Sequence, residues 1–580
     1  MGGIRPIIDI KRRSVCLALI LLVTGNWSEA VAIGWSTQSP VERMQTVIQA
    51  RLADTAVGET LVCQSEWLCG VRMLPKAYQD RNYRPLWLAP PQGTEKAKAL
   101  AAAIGRSGED GLTPLDYHLD IIYDLLVRVL KQSAKYDPAP FDPALWADLD
   151  LMLTDAFLLV GSHLAAGRVN PETLHSDWKI KPGSVDLSTA LDQAASSGDI
   201  DTALGRLRPV HQGYTDLRDA LARLRELKAA GGWPTVAARQ TLHPGDHGPA
   251  VGDLRFRLLA SGDADLTGRI DDLLYFDSRL AAAVKRFQRN NGLPVDGVVG
   301  AQTRAVLNLT VEQRIGQVIL NLERWRWLPR DLGRRYVVVN TADFTLMAVE
   351  NGRPVRQMRV VVGRPARRSP VFSADMTYLV VNPYWNVPPT IAVTDMLPLL
   401  QRDAGYLSRK KIRVFASWLP DAAEIDPLTV QWHAYRGDDF PFKLRQEPGP
   451  NNALGRLKFM FPNRFAVYLH DTPNHDLFDR RQRDFSSGCI RVEAPLALAQ
   501  FVLAGDQRWG REALASAIDG KKPVTIRLKA PVPVHLVYLT AWVDRTGTLQ
   551  FRNDIYHRDL ELDRALKLRD PHRPPGFAHQ

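Results

Sequence analysis

Residues 485 to 493 read Phe485-Ser486-Ser487-Gly488-Cys489-Ile490-Arg491-Val492-Glu493. Ile-Arg-Val alternates apolar and polar side chains, the period of a half-buried strand, and a glycine stands just ahead of it. The sequence therefore predicts a turn that feeds a β strand, with a cysteine at the junction. Only four cysteines occur in 580 residues. A buried inert thiol and an activated nucleophile are both readings of Cys489 taken alone.

Nineteen positions upstream stands His470, in Arg464-Phe-Ala-Val-Tyr-Leu-His470-Asp471-Thr472. Read as one extended strand, Phe465, Val467 and Leu469 point to the core, and Ala466, Tyr468 and His470 point to the other face. The charged loop Asp479 to Asp484 is long enough to return Cys489 to the side of His470. An imidazole there would take the thiol proton, and the ion pair would lower the thiol pKa below its free value of about 8.5. Gly488, lacking Cβ, would let the amides of Gly488 and Cys489 approach a developing oxyanion.

The surrounding grammar predicts a multi-domain α+β chain. Residues 33–235 carry helical periodicity, as in Ala144 to Gly167 and Tyr214 to Ala230, and form a helical scaffold region. Asp150 and Asp155 on the first of these are read as part of a solvated face. Residues 236–312 hold three short helices, Val251 to Leu259, Phe276 to Asn290 and Ala301 to Asn308, joined by Gly-bearing turns. From 333 to 530 the pattern is mainly β. Runs at Tyr336 to Asn340, Phe344 to Glu350 and Pro354 to Val362 are joined in part by Asn351-Gly352, a hairpin signal. An insertion at about 391–447 interrupts the strands and reads as a lid subdomain. Residues 531–580 read as a C-terminal tail.

Lys11, Arg12 and Arg13 precede the apolar run Val15 to Val23, and Ala30-Val31-Ala32 follows, so residues 1–32 read as a secretory signal. Cleavage and retention as an anchor both remain open. In an oxidising compartment Cys63 and Cys69 would close a small disulfide loop, worth about 2 kcal/mol. The charge of +11 suits an anionic partner. For an exported chain that means a cell surface and not nucleic acid. Neither zinc-ligand spacing nor a phosphate loop occurs.

Two stretches carry resemblances. Gly245-Asp246-x-Gly248, then Val284-x-x-Phe287-Gln288-x-x-x-Gly292-Leu293 and Asp296-Gly297-x-x-Gly300, resemble a small peptidoglycan-binding domain. Tyr468-x-His470-Asp471-Thr472-Pro473, a charged loop and Ser486-Ser487-Gly488-Cys489-Ile490-Arg491-Val492 resemble the L,D-transpeptidase signature. Asn382-Pro-Tyr-Trp-Asn-Val-Pro-Pro389, Pro448 to Arg456, Ala541 to Asp544 and Asp554 to Tyr556 resemble its large multi-domain Gram-negative branch.

The resemblance implies Cys489 as nucleophile, His470 as general base and the Asp471 carbonyl as the group that orients it. Gly488 and Cys489 amides would form the oxyanion hole with the Ser487 region, where many relatives have His. Tyr468, Arg491 and Trp385 would contact substrate. It further implies a thioester with a stem tetrapeptide, release of D-alanine and a 3-3 cross-link to a diamino-acid acceptor. No cofactor or metal is implied. Sensitivity to carbapenems, a periplasmic location, glycan contact through the small module and contacts with other wall-synthesis enzymes belong to the same expectation. Hydrolysis by the same Cys-His pair, and a non-catalytic wall-binding scaffold, are the alternatives.

Overall fold

The computed structural model describes residues 38–568 except 54–60, 65, 69, 71, 135–139, 181, 182, 184, 238 and 265–270. The expected signal segment and Cys69 lie outside the described residues. Cys63 is a free, buried thiol whose Sγ lies 3.7 Å from the Asp148 carbonyl.

The helical region is organised around one helix, Pro143–Ala166. Asp142 caps it by accepting from the amides of Ala144 and Leu145, proline occupies its first turn, and Gly167 at φ +85° ends it. Its length and composition would suffice to cross a membrane, but most of it is buried inside the protein, packed by Pro40–Ala53, Glu95–Gly105, Leu119–Gln132 and Ile200–Leu207. A helix enclosed on all sides has no solvated face. The reading of Asp150 and Asp155 as solvated is therefore corrected. Asp150 accepts from the amides of Leu86, Trp87 and Leu88 at 2.9, 2.9 and 3.1 Å and from the Tyr78 hydroxyl at 2.6 Å. Asp155 accepts from the Gly70 amide at 2.5 Å. Buried carboxylates survive only with such partners, and these staple non-helical backbone onto the central helix.

The small module consists of Pro249–Ala260, Ser278–Asn290 and Ala301–Leu307 around Leu254, Leu258, Leu280, Val284 and Phe287. Its turn at Asn290 to Gly292 docks on the hairpin formed by Ala541–Val543 and Leu549–Phe551, and on the charged loop ahead of Cys489. The Arg552 guanidinium donates to the Asn290 carbonyl at 3.1 Å, and Arg481 donates to that of Gly292 at 3.3 Å. Helix Val311–Arg326, opened by a Thr310/Gln313 capping box, leads from the module into the β region. It carries a buried Arg326–Glu323 pair at 2.7 Å and an Arg324–Asp559 pair at 2.5 Å.

In the β region, strands Arg335–Asn340, Thr345–Glu350 and Arg353–Gly363 form an antiparallel meander. Its second turn has φ +50° at Asn351 and +73° at Gly352, the primed turn that the Asn-Gly pair favours. Val524–Val537 pairs parallel with Arg335–Asn340 and antiparallel with Val371–Val381. Leu457–Met460 lies between Val371–Val381 and Leu469–His470. Ile490–Val492 then pairs parallel with Leu469–His470 and antiparallel with Arg353–Gly363. Eight strands thus close on themselves around Val337, Val339, Leu346, Val360, Leu379, Phe459, Leu469 and Ile490.

Three sequence expectations meet different geometry here. The boundary at 530/531 falls inside Val524–Val537, and Tyr538, Tyr556 and Leu562 beyond it belong to the same core. The inserted subdomain has its own sheet, which begins at Trp385–Asn386 and continues with Ile412–Phe415, Glu424–Ile425 and Lys443–Gln446. Arg464 to His470 is not one strand; only Leu469–His470 is. Asn463 accounts for the difference. Its Oδ1 accepts from the amides of Phe465 and Val467 and its Nδ2 donates to the carbonyls of Phe461 and Val467, which winds a turn with Ala466 at φ +52°.

Candidate active site

The ladder register decides which side chains meet. Leu469 pairs with Ile490 and His470 with Arg491, in parallel. Leu469 and Ile490 are fully buried on the core face. Alternation puts His470 and Arg491 on the opposite face, with Cys489 beside Tyr468 at its entrance. The Ile490 amide donates to the Tyr468 carbonyl at 3.1 Å and fixes that entrance. Across the next strand Lys458 pairs with His470, while Leu457 and Phe459 fill the core. Five side chains therefore share one face: Lys458, Tyr468, His470, Cys489 and Arg491. The Lys458 ammonium lies 3.9 Å from the Tyr468 ring centre, and the Tyr468 and His470 rings meet edge to face at 5.7 Å.

His470 is buried, and its Nδ1 lies 2.5 Å from the Asp471 carbonyl oxygen. A carbonyl can only accept, so Nδ1 carries the proton and the lone pair of the neutral ring resides on Nε2. The Asp471 carboxylate accepts from the amides of Arg456 and Thr472, both at 2.7 Å, which pins that carbonyl in place. Gly455, at φ +60°, allows the approach: a Cβ there would lie 2.4 Å from Asp471 Cγ.

Burial pushes the imidazole down to about 3, helped by the positive charges of Arg491 and Lys458. Burial also raises the Cys489 thiol; hydrogen bonds from Tyr468 and the charges of Lys458 and Arg491 pull the other way without reversing it. The residue itself is half-buried, so this is desolvation by the walls of an open site rather than enclosure. Burial thus works against the charged form of each group, and so against the expected thiolate–imidazolium pair. Desolvation penalises both charges before a substrate is present.

Gly488 adopts φ +113°, which a side chain would strain. Its amide donates to Ser486 Oγ at 3.1 Å, so in the resting site that expected oxyanion donor is already engaged. Its carbonyl accepts from Ser369 Oγ at 2.8 Å. Ser487 Oγ accepts from the Arg367 guanidinium at 3.0 Å. Trp385, expected to contact substrate, stands in the lid sheet and packs on that subdomain's core. Sequence reading missed Lys458, although a lysine flanked by two core residues in Leu457-Lys458-Phe459 is a period-2 signal for this face. It also missed Ser369 and Arg367, which come from a loop that no pattern links to Cys489.

Residues 334–526 match the family model of the L,D-transpeptidase catalytic domain. This chain carries an L,D-transpeptidase catalytic domain. Ahead of that L,D-transpeptidase domain, residues 247–307 match "Putative peptidoglycan binding domain" and residues 72–221 match a scaffold domain. The chain is 32% identical over 249 residues to "Putative L,D-transpeptidase" of Haemophilus influenzae. That alignment takes in 43% of this chain and 49% of the relative, so the chain spans about half the relative's length.

Among solved structures, an L,D-transpeptidase from Mycobacterium smegmatis is 13% identical, covering 35% of this chain and 58% of that one, with a TM-score of 0.18. One from Xylanimonas cellulosilytica is 18% identical, covering 52% and 98%, with a TM-score of 0.15.

Proposed function

We propose that the chain is a cysteine L,D-transpeptidase of peptidoglycan that forms 3-3 cross-links in the periplasm. The observation that carries this reading is the shared face: a thiol at the mouth of Ile490–Val492, and an imidazole on the paired strand with its proton fixed on Nδ1. Cys489 Sγ attacks the carbonyl of the third residue of a stem tetrapeptide while His470 Nε2 takes the thiol proton. The C–N bond breaks, His470 returns the proton to the leaving D-alanine amine, and a thioester remains on Cys489. The side-chain amine of a diamino acid on a second stem gives its proton to His470 and displaces the sulfur, which restores the thiol.

Negative charge grows on the donor carbonyl oxygen during both steps. The Cys489 amide and the cationic Lys458 and Arg491 supply stabilisation on that face. Burial that disfavours both charges suits a transfer in which thiolate forms as the substrate carbonyl arrives. A lid that excludes water would favour the amine as acceptor, and the module and the charge of +11 suit an anionic glycan–peptide polymer.

Incubation with tetrapeptide muropeptides tests the reading. Cross-linked dimers that vanish with Cys489→Ala support it. Trimmed tripeptides alone would replace it with a carboxypeptidase using the same pair, and the absence of any product would leave a wall-binding scaffold.

A further inference from the structure

The segment after Arg353–Gly363 folds back on itself at Arg364 to Arg368. A Cβ on Gly363 would lie 2.2 Å from the Arg367 carbonyl oxygen, so only glycine permits the reversal. The segment is stitched to the nucleophile loop from both sides. The Arg364 amide donates to the Ser486 carbonyl at 2.9 Å. Ser369 Oγ accepts from the Gly363 amide at 2.9 Å and donates to the Gly488 carbonyl at 2.8 Å. Two guanidinium groups are thereby held in fixed register with Cys489.

Both point at one carboxylate, and it belongs to the lid. Asp395, on the short turn Ala392–Met396, accepts from Arg364 Nη2 at 3.0 Å and from Arg367 Nη1 at 2.6 Å and Nη2 at 3.0 Å. Arg367 also donates to Thr394 Oγ1 on the same turn and to Ser487 Oγ beside the nucleophile. Burial alone would raise the Asp395 carboxyl, but the hydrogen bonds from Arg367 and Arg364 outweigh it and hold the group below its usual range. The three side chains remain partly open to solvent, with exposures of 41, 22 and 34% for Arg364, Arg367 and Asp395. Two guanidinium groups on one carboxylate leave this cluster, among the described residues, with one positive charge in excess, and a guanidinium fork is suited to a second carboxylate.

We propose that Arg364 and Arg367 form a carboxylate subsite for the donor peptide, and that Asp395 is an internal competitor for it. The inference rests on the proposed transpeptidase reading and deepens it. A stem tetrapeptide offers two carboxylates near the scissile bond: that of its terminal residue and one on the side chain of its diamino acid. Either would compete with Asp395 for the forks, so donor binding would free the lid turn from the nucleophile loop.

The test measures binding to full-length Cys489→Ala protein, which cannot turn the peptide over. Calorimetry would compare the tetrapeptide with analogues amidated at the terminal or at the side-chain carboxylate. Arg364→Gln, whose side chain touches Asp395 and not the loop, is expected to weaken the free peptide about tenfold. It should leave unchanged the analogue lacking the carboxylate that the forks hold, and that pattern says which source is bound. Asp395→Asn is expected to tighten the free peptide about threefold or more, a gain that a damaged fold cannot mimic.

Equal affinities across the parent, Arg364→Gln and Asp395→Asn would overturn the subsite, even if Cys489-bearing protein forms dimers normally. Peptide binding with the expected shifts, but no acyl transfer by Cys489-bearing protein, would instead overturn the reaction and leave the subsite standing.

Discussion

Lys458 faces His470 across the ladder between Leu457–Met460 and Leu469–His470, on the same face as Cys489. The ammonium opposes protonation of the ring and favours ionisation of the thiol. Replacing it with Met, which is nearly as long but uncharged, should ease protonation of the ring and hinder ionisation of the thiol. Alkylation of Cys489 by iodoacetamide should then need a higher pH than in the parent, and kcat/KM for cross-linking should fall about tenfold. An unshifted alkylation profile would show that Lys458 only packs against Tyr468.

The buried histidines make stability sensitive to acid. His470 and His175 are both depressed to about 3, chiefly by burial. An unfolded histidine binds its proton near 6.5. The unfolded chain therefore binds more protons below that value, and stability present above pH 6.5 is lost progressively as pH falls toward 3. Denaturant unfolding between pH 7 and pH 4 should show this loss. His175→Gln, which takes one such group away from the active site, should reduce the slope.

Gly455→Ala should cost about 3 kcal/mol, because it combines a left-handed backbone position with a Cβ placed against Asp471. The same displacement would loosen the carbonyl that orients His470. Activity should therefore fall further than the folded fraction does, as measured by cross-linking rate per folded molecule. Loss in strict proportion to unfolding would mean that Asp471 does not orient the ring.

Asp150→Ala should destabilise the helical region by roughly 3 kcal/mol, since it strands three backbone amides and leaves the Tyr78 hydroxyl with Thr154 Oγ1 alone. Thermal unfolding followed by far-ultraviolet circular dichroism would register it. An unchanged midpoint would mean that water replaces the carboxylate.

The elements whose signals are local were readable from the residues alone. The helix around Leu149, the Asn351-Gly352 turn and the strand from Ile490 each announce themselves by period or by backbone preference. Cys489 and His470 were readable because their motifs are contiguous. What escaped was set at long range. The burial of Asp150 depends on partners more than 60 residues away, and nothing in Leu149-Asp150-Leu151 distinguishes a solvated carboxylate from one that binds Leu86 to Leu88. The apolar alternation at Arg464 to Val467 is real and reads as strand, yet Asn463 overrides it through four local hydrogen bonds. Arg367 and Asp395 stand 28 residues apart, and only the fold of the lid brings them together.

The most direct test of the central idea, that one imidazole-activated sulfur carries the acyl group, is peptide mass spectrometry after rapid acid quench of the full-length protein with a tetrapeptide donor. The account predicts a tripeptidyl adduct on the fragment bearing Cys489, formed more slowly in His470→Gln and discharged when a diamino acceptor is added. Donor consumption at the parental rate with Cys489 unmodified, or an adduct that forms equally fast without His470, would contradict it.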